Sequence, residues 1–218
     1  MSKNVHNSIR DLKQHVVALG QAVEEATAKA IRVVETRDSA LAKEVIAGDA
    51  KIDAMEVQVE EMCLKVLALC QPAARDLRFV VGVLKINNDL ERIGDLAKNI
   101  AKRMLYLVER SINTPVDFRP IAAATQAMVK QAIDALVDND ASLARKVRQR
   151  DLEVDALYDQ IHEEVMAEIR ARPADIDATL KVFAVARHFE RLGDMAAKIA
   201  EEVIYVVEAD VVRHQVEV

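Results

Sequence analysis

The chain has 218 residues, of which 51% are hydrophobic and 30% are charged, so it is long and apolar enough to bury one large core or two small ones. Aromatic residues make up only 3% and tryptophan is absent, a composition typical of long packed helices rather than of strands. The formal net charge of −6 argues against nucleic acid as a partner, because phosphate backbones are bound by clustered Lys and Arg.

The apolar pattern and the start of the chain do not indicate an exported or membrane-spanning protein. No run of 18 apolar residues lacks charges, and the start, MSKNVHNSIRDLKQHVV, contains no apolar signal core. We therefore expect a cytoplasmic protein that does not span a membrane. Cys63 and Cys70 are one heptad apart on a predicted helix, a rise of roughly 10 Å that is too long for a disulfide, so both are interpreted as partly buried free thiols.

Apolar residues recur at steps of three and four along most of the chain, which predicts helices. Asp38 and Asp140 are predicted to cap the second and fifth helices, and the second helix is predicted to end at Gln71-Pro72. Arg172-Pro173 ends the fifth in the same way. Six helices are predicted in chain order, at residues 8–35, 39–70, 74–110, 119–138, 140–171 and 175–208.

The two halves of the chain repeat each other. The apolar positions of the third helix recur 99 residues later in the sixth, and those of the second recur 102 residues later in the fifth. Between the halves, SINTPVDFRP interrupts the periodicity with two of the four prolines and is interpreted as a linker that few core contacts cross. The prediction is an all-α tandem repeat of two antiparallel three-helix bundles, residues 1–110 and 121–218, joined by the linker 111–120.

One phrase is written twice, ERIGDLAKNIA from Glu91 and ERLGDMAAKIA from Glu190. At about 100° per residue, Gly94 falls in the core sector of its helix, and Gly193 is its repeat. A glycine inside a helix costs about 0.5–1 kcal/mol relative to alanine. Its repetition therefore suggests that the backbone of a neighbouring helix approaches closely there, although inheritance from one ancestral half would also explain it.

Glu91 and Asp95 are four residues apart, so their carboxylates project from adjacent turns and repel each other unless a positive charge lies between them. One interpretation is a solvated helix flank in which Arg92 or Lys98 supplies that charge. The other is a metal ion, because two carboxylates from one helix form half of a site for hard or borderline cations. Repetition of the pair favours the metal.

The two ExxxD motifs, QPAARDLR at residues 71–78 and the tandem three-helix layout together resemble the PhoU family of bacterial phosphate-signalling regulators. The resemblance covers essentially the whole chain. It implies a cytoplasmic, non-enzymatic protein, often a homodimer, that couples the ATPase subunit of a phosphate ABC transporter to a sensor histidine kinase. Such a protein negatively regulates phosphate-starvation genes and phosphate uptake, and it meets the membrane only through its partners.

The resemblance also implies metal ions, possibly multinuclear, of iron, manganese, magnesium or zinc. It assigns them to Glu91 and Asp95 in the first half and to Glu190 and Asp194 in the second. Asn99 could add an oxygen beside Asp95, whereas Lys198 stands at the matching place beside Asp194, so the first-half site is expected to be the stronger. Further acids on the second and fifth helices are weaker ligand candidates and could equally be solvated surface: Asp53, Glu56, Glu60, Asp155 and Asp159, with His162 beside them.

Two other functions fit less well. A ferritin-like di-metal oxidase needs two Glu-x-x-His pairs in one bundle, and the nearest pattern is a single Asp159-x-x-His162. His188 lies about 200° around the helix from Glu190, so it is interpreted as structural. No pattern for covalent catalysis or a phosphate-binding loop stands out, so no catalytic residue is predicted. A helical adaptor without metal remains the second alternative.

Overall fold

The computed structural model describes residues 2–113 and 115–212, with side-chain surroundings from residue 6 onward in those ranges. Within them the chain forms six α-helices, one 3₁₀ turn at Pro173–Asp175 and no β-strand, which confirms the predicted class. No helix among these residues is long and apolar enough to cross a membrane. The helices are α1 (Ser2–Thr36), α2 (Ser39–Cys70), α3 (Ala74–Glu109), α4 (Arg119–Asp138), α5 (Ala141–Ala171) and α6 (Ile176–Glu208).

The predicted capping residues set the helix ends. The Asp38 carboxylate accepts hydrogen bonds from two backbone N–H groups of the first turn of α2, at 2.8 and 3.1 Å, and Asp140 accepts one from the first turn of α5 at 2.9 Å. Gln71 ends α2 in the left-handed conformation directly before Pro72. α1 begins earlier than predicted, because the segment before residue 8 lacks a repeating apolar position from which a helix could be recognised.

Each half is a three-helix bundle. α1, α2 and α3 pack against one another, as do α4, α5 and α6. The predicted apolar stripes form the centre of each bundle and are fully buried at Val83, Ile86, Leu90, Ile93 and Ile100 in α3 and at Val182, Val185, Phe189, Leu192 and Ile199 in α6. The two cysteines are free, with Cys63 buried and Cys70 partly buried, as predicted.

The halves also share one core, and the prediction that few core contacts cross the linker is wrong. α3 packs along α6, and the Phe118 ring of the linker lies 6.2 Å from that of Phe189 in α6. The two helices run antiparallel, so Lys85 near the start of α3 bonds Glu202 near the end of α6, with Nζ 3.1 and 3.2 Å from the carboxylate oxygens. The linker residue Val116 is buried as well.

A second buried face on each central helix explains this contact. In α3 it follows a seven-residue spacing through Gly82, Asp89 and Leu96, and in α6 through Met195 and Glu202. A seven-residue spacing keeps side chains on one side of a helix over several turns. Because the series contains two acids, it does not stand out as an apolar stripe in the sequence.

We expect Gly82→Ala to lower the free energy of unfolding by about 1–2 kcal/mol, because a Cβ there would overlap Cγ2 of Val206 and overpacking outweighs the gain in helix propensity. Urea unfolding of the purified protein measures the change. Gly48→Ala is the matched control: within the described chain nothing lies within 4 Å of its added Cβ, so we expect a gain of about 0.5–1 kcal/mol. Equal gains at both positions would contradict the close packing of α3 on α6.

Candidate functional site

The structure brings most of the predicted acids together in two clusters, one in each half, and adds one further aspartate to each. The first cluster comprises Asp49, Asp53 and Glu56 of α2 with Glu91 and Asp95 of α3. The second cluster comprises Asp151, Asp155 and Asp159 of α5 with Glu190 and Asp194 of α6. Each lies where two neighbouring helices of one bundle pack.

The two repeated glycines lie beside these clusters. A Cβ on Gly94 would come within 3.1 Å of Cγ2 of Ile52, and one on Gly193 within 3.2 Å of Cγ1 of Val154 and of Oδ1 of Asp151. The atoms in close contact belong to side chains of the neighbouring helix, not to the backbone that the sequence suggested. The missing side chain thus gives the neighbouring helix room beside the carboxylates.

In the first cluster the positive charge comes from Lys98. Its Nζ lies 2.5 Å from Oδ2 of Asp49 and also contacts the carboxylate of Asp95. Burial alone would lower the pKa of Lys98, but the bonds to these two carboxylates outweigh it and raise that pKa. Arg92, the other candidate for this role, pairs instead with Asp89 at 3.6 Å.

The remaining acids of the first cluster are held close to one another. Burial raises the pKa of Glu91, and the carboxylates of Asp95, Asp53 and Glu56 raise it further. Asn87, which is buried in α3, donates a hydrogen bond of 2.7 Å to Oε1 of Glu56 and so fixes that side chain. Asn87 could not be found from the sequence, since a polar residue at a core-facing helix position does not reveal its partner.

The second cluster has no equivalent of Lys98. At the offset of 99 residues that relates α3 to α6, Lys98 corresponds to Ala197. Burial raises the pKa of Asp151 from its ordinary value of 3.8 to about 6, and the charges of Asp155, Asp194 and Glu190 contribute to the increase. Among the described residues, no hydrogen bond or ion pair involves the carboxylates of Asp151 or Asp194. Burial and the neighbouring acids raise the pKa of Glu190 more than the charges of Arg187 and Arg191 lower it, so negative charge dominates this cluster.

Lys198 occupies a different position from the one its spacing suggested. It is exposed and lines an open cleft of about 800 Å³ between α3, α5 and α6, together with Asp151 and Asp194. Burial raises the pKa of Asp89, and the charge of Lys198 partly offsets this increase. The charges that affect the pKa of Asp151 most, after its burial, are those of other carboxylates. The expected weakening of the second site by Lys198 stays a prediction, and the geometry gives it little support.

The weaker candidates lie at the edges of the clusters. Asp159 is exposed. Burial raises the pKa of Asp155, the charge of Asp194 raises it further, and Asp159 makes a smaller contribution. The His162 ring packs 5.5 Å from that of Phe183, and Asn99 is partly buried beside the first cluster. Within the described ranges, no group of three or more His, Cys, Asp and Glu side chains is arranged to hold a metal ion, so any cation would require these side chains to rearrange.

Asp49 and Asp151 were missed by sequence reasoning, although a signal for them exists. They are related by the offset of 102 residues that relates α2 to α5, and each precedes a predicted acid, Asp53 or Asp155, by four residues. Two acids at this spacing lie on one face of a helix. The duplicated i,i+4 pair on α2 and α5 therefore matches the duplicated pair on α3 and α6.

Fold and site together define a class of duplicated helical-bundle proteins with an acidic cluster in each repeat. A family model described as PhoU domain matches residues 16–104 and 118–203, one match in each half. The chain belongs to the PhoU family, as the sequence motifs indicated.

Individual relatives match over nearly the whole chain. It is 38% identical over 208 residues to the "Phosphate-specific transport system accessory protein PhoU homolog" of Aquifex aeolicus. The aligned region covers 95% of this chain and 94% of the relative. The protein of that name from Pseudomonas aeruginosa is 38% identical, over 98% and 89% of the two chains.

Two crystal structures resemble the fold closely. That of PhoU from Pseudomonas aeruginosa superposes with a TM-score of 0.90 at 36% identity and covers 94% of this chain and 99% of that one. That of the phosphate transport system regulatory protein PhoU from Streptococcus pneumoniae superposes with a TM-score of 0.86 at 27% identity, over 95% and 98%.

We expect Asp151→Asn to raise the melting temperature above pH 6 in metal-free buffer, because it removes a carboxylate whose charged form is disfavoured in the fold. The folded-state pKa of about 6 exceeds the ordinary 3.8, so the folded protein binds the extra proton between these values and the wild type becomes less stable as the pH rises through them. The gain from the substitution should thus shrink as the pH falls towards 4. Thermal melts across pH 4–8 measure it.

Asp49→Asn, at the equivalent position of the first half, is the matched control. We expect it to lower the free energy of unfolding at pH 7 by about 1–3 kcal/mol, because it removes the charged acceptor of the Lys98 ammonium. Effects of the same sign in both variants would contradict the difference between the two clusters.

Proposed function

We propose that this protein is a non-enzymatic accessory protein of a phosphate transport system. The observation that carries the proposal is the match of both halves to the PhoU domain, together with the likeness in structure to PhoU proteins over almost the whole chain. The curated relatives from Aquifex aeolicus and Pseudomonas aeruginosa are named accessory proteins of the phosphate-specific transport system.

In this proposal the protein works through contacts with other proteins in the cytoplasm. It binds the ATPase subunit of a phosphate ABC transporter and a sensor histidine kinase, and it holds phosphate uptake and the starvation response low when phosphate is plentiful. A homodimer is the proposed assembly. Long helices with charged outer faces suit this role, since they present large surfaces to other proteins.

The arrangement of the site favours this function over a di-metal oxidase. Such an oxidase needs histidine and carboxylate ligands converging within one four-helix bundle. The single Asp159-x-x-His162 pattern does not supply them, because the His162 ring packs on Phe183 and is partly exposed to solvent.

We also propose that the acidic clusters take up a divalent or trivalent cation, with Glu190 and Asp194, or Glu91 and Asp95, among the carboxylates that hold it. In the second cluster a bound cation would supply positive charge beside carboxylates that have no equivalent of Lys98. Asp151 and Asp155 add further oxygens to the second cluster, and carboxylate oxygens suit magnesium, manganese and iron. Burial raises the pKa of Asp155 and of Glu190, and the charges of the neighbouring acids raise it further. This crowding of acids supports the proposal.

A deletion strain tests the proposed role. We expect expression of a phosphate-starvation reporter in phosphate-rich medium to rise when the gene is removed and to return to its former level when the intact gene is restored. A tagged copy should co-purify with the transporter ATPase and with the kinase under the same conditions.

The matched comparison is the deletion strain carrying Gly48→Ala, a substitution at an exposed position without neighbours, which should restore repression fully. Unchanged reporter expression on deletion, together with recovery of neither partner, would refute the accessory role.

A further inference from the structure

The two acidic clusters share four pairs of equivalent acids. They differ in one further acid, Glu56 in the first and Asp159 in the second, and at the position of Lys98. The offset between α2 and α5 relates Asp49 to Asp151, and the offset between α3 and α6 relates Asp95 to Asp194. The difference in positive charge lies at one position, which holds Lys98 in the first half and Ala197 in the second. The molecule therefore contains two versions of one site, with and without a lysine.

In the first half the lysine fills the space between the helices. Its ammonium contacts one carboxylate from α2 and one from α3, and the Lys98 side chain is only 20% exposed. The Asp49 side chain is 9% exposed, and its second oxygen, Oδ1, has no hydrogen-bond partner among the described residues. A carboxylate this buried needs a positive charge beside it, and here the protein supplies that charge itself.

In the second half the same space is open. Ala197, Asp151 and Asp194 line the cleft of about 800 Å³, where solvent and ions have access to the carboxylates. The other cations of this cleft are directed to other acids: Lys85 bonds Glu202, and Arg92 pairs with Asp89. The exposed Lys198 also borders the cleft and acts on Asp89.

We infer that Lys98 is a built-in counter-ion that takes the place of a metal ion in the first cluster, so that only the second cluster binds a cation. An ammonium and a metal cation cannot share the carboxylates of Asp49 and Asp95, because like charges a few ångströms apart repel strongly in a partly buried site. The inference rests on the proposed cation binding and reverses the order of the two sites that the sequence suggested.

Exchanging the two residues tests this directly. Equilibrium dialysis of the full chain against Mn²⁺ should show binding that is lost in Glu190→Gln/Asp194→Asn and retained in Glu91→Gln/Asp95→Asn. Lys98→Ala should raise the Mn²⁺ bound per chain about twofold, because it frees a second cluster of similar carboxylate number. Ala197→Lys should remove most of the binding seen in the wild type.

Lys98→Met keeps the aliphatic stem and controls for loss of packing, and it should gain Mn²⁺ as Lys98→Ala does. Circular dichroism and melting curves with and without Mn²⁺ verify that each variant folds; Mn²⁺ should raise the melting temperature of the two Lys98 variants by more than that of the wild type.

Loss of wild-type Mn²⁺ binding in Glu91→Gln/Asp95→Asn, or unchanged binding in both folded Lys98 variants, would overturn the inference. So would absence of binding in the wild type and in both variants. These results are distinct from failure of the accessory role, which the reporter strain and the co-purification decide without any measurement of metal.

Discussion

The close packing of α2 on α3 and of α5 on α6 determines where the charged side chains of this protein lie. Gly94 and Gly193 leave room for Ile52 and Val154, so neighbouring helices approach beside the acids of each repeat. Carboxylates from two helices then face each other across a narrow, partly buried gap. The fold thus holds like charges together, and each half must compensate them from within or from outside.

The halves meet this constraint differently. The first supplies Lys98, which links α2 to α3 through Asp49 and Asp95. The second leaves Asp151 with a pKa of about 6, raised by burial and by the surrounding acids, beside an open cleft. Because α3 and α6 pack directly on each other, the two clusters lie on helices that share one core. A change in charge at the second cluster would therefore act on the helix pair that joins the halves.

The sequence predicted what depends on local spacing and missed what depends on neighbouring helices. Apolar periodicity, Asp38, Asp140 and the two prolines were sufficient for six helices and two bundles, because each signal lies within one element. The contact between the halves was missed because Asp89 interrupts the apolar pattern of its helix face. The partner of Lys98 could not be predicted, since a lysine three residues after Asp95 reaches either solvent or Asp49, and the position of α2 decides between them.

An anomalous diffraction map of crystals grown with Mn²⁺ would test the difference between the two halves most directly. We expect a single anomalous peak among Asp151, Glu190 and Asp194, with the Lys98 ammonium still in contact with Asp49 and Asp95. A peak between Glu91 and Asp95, with the Lys98 side chain displaced, would contradict it.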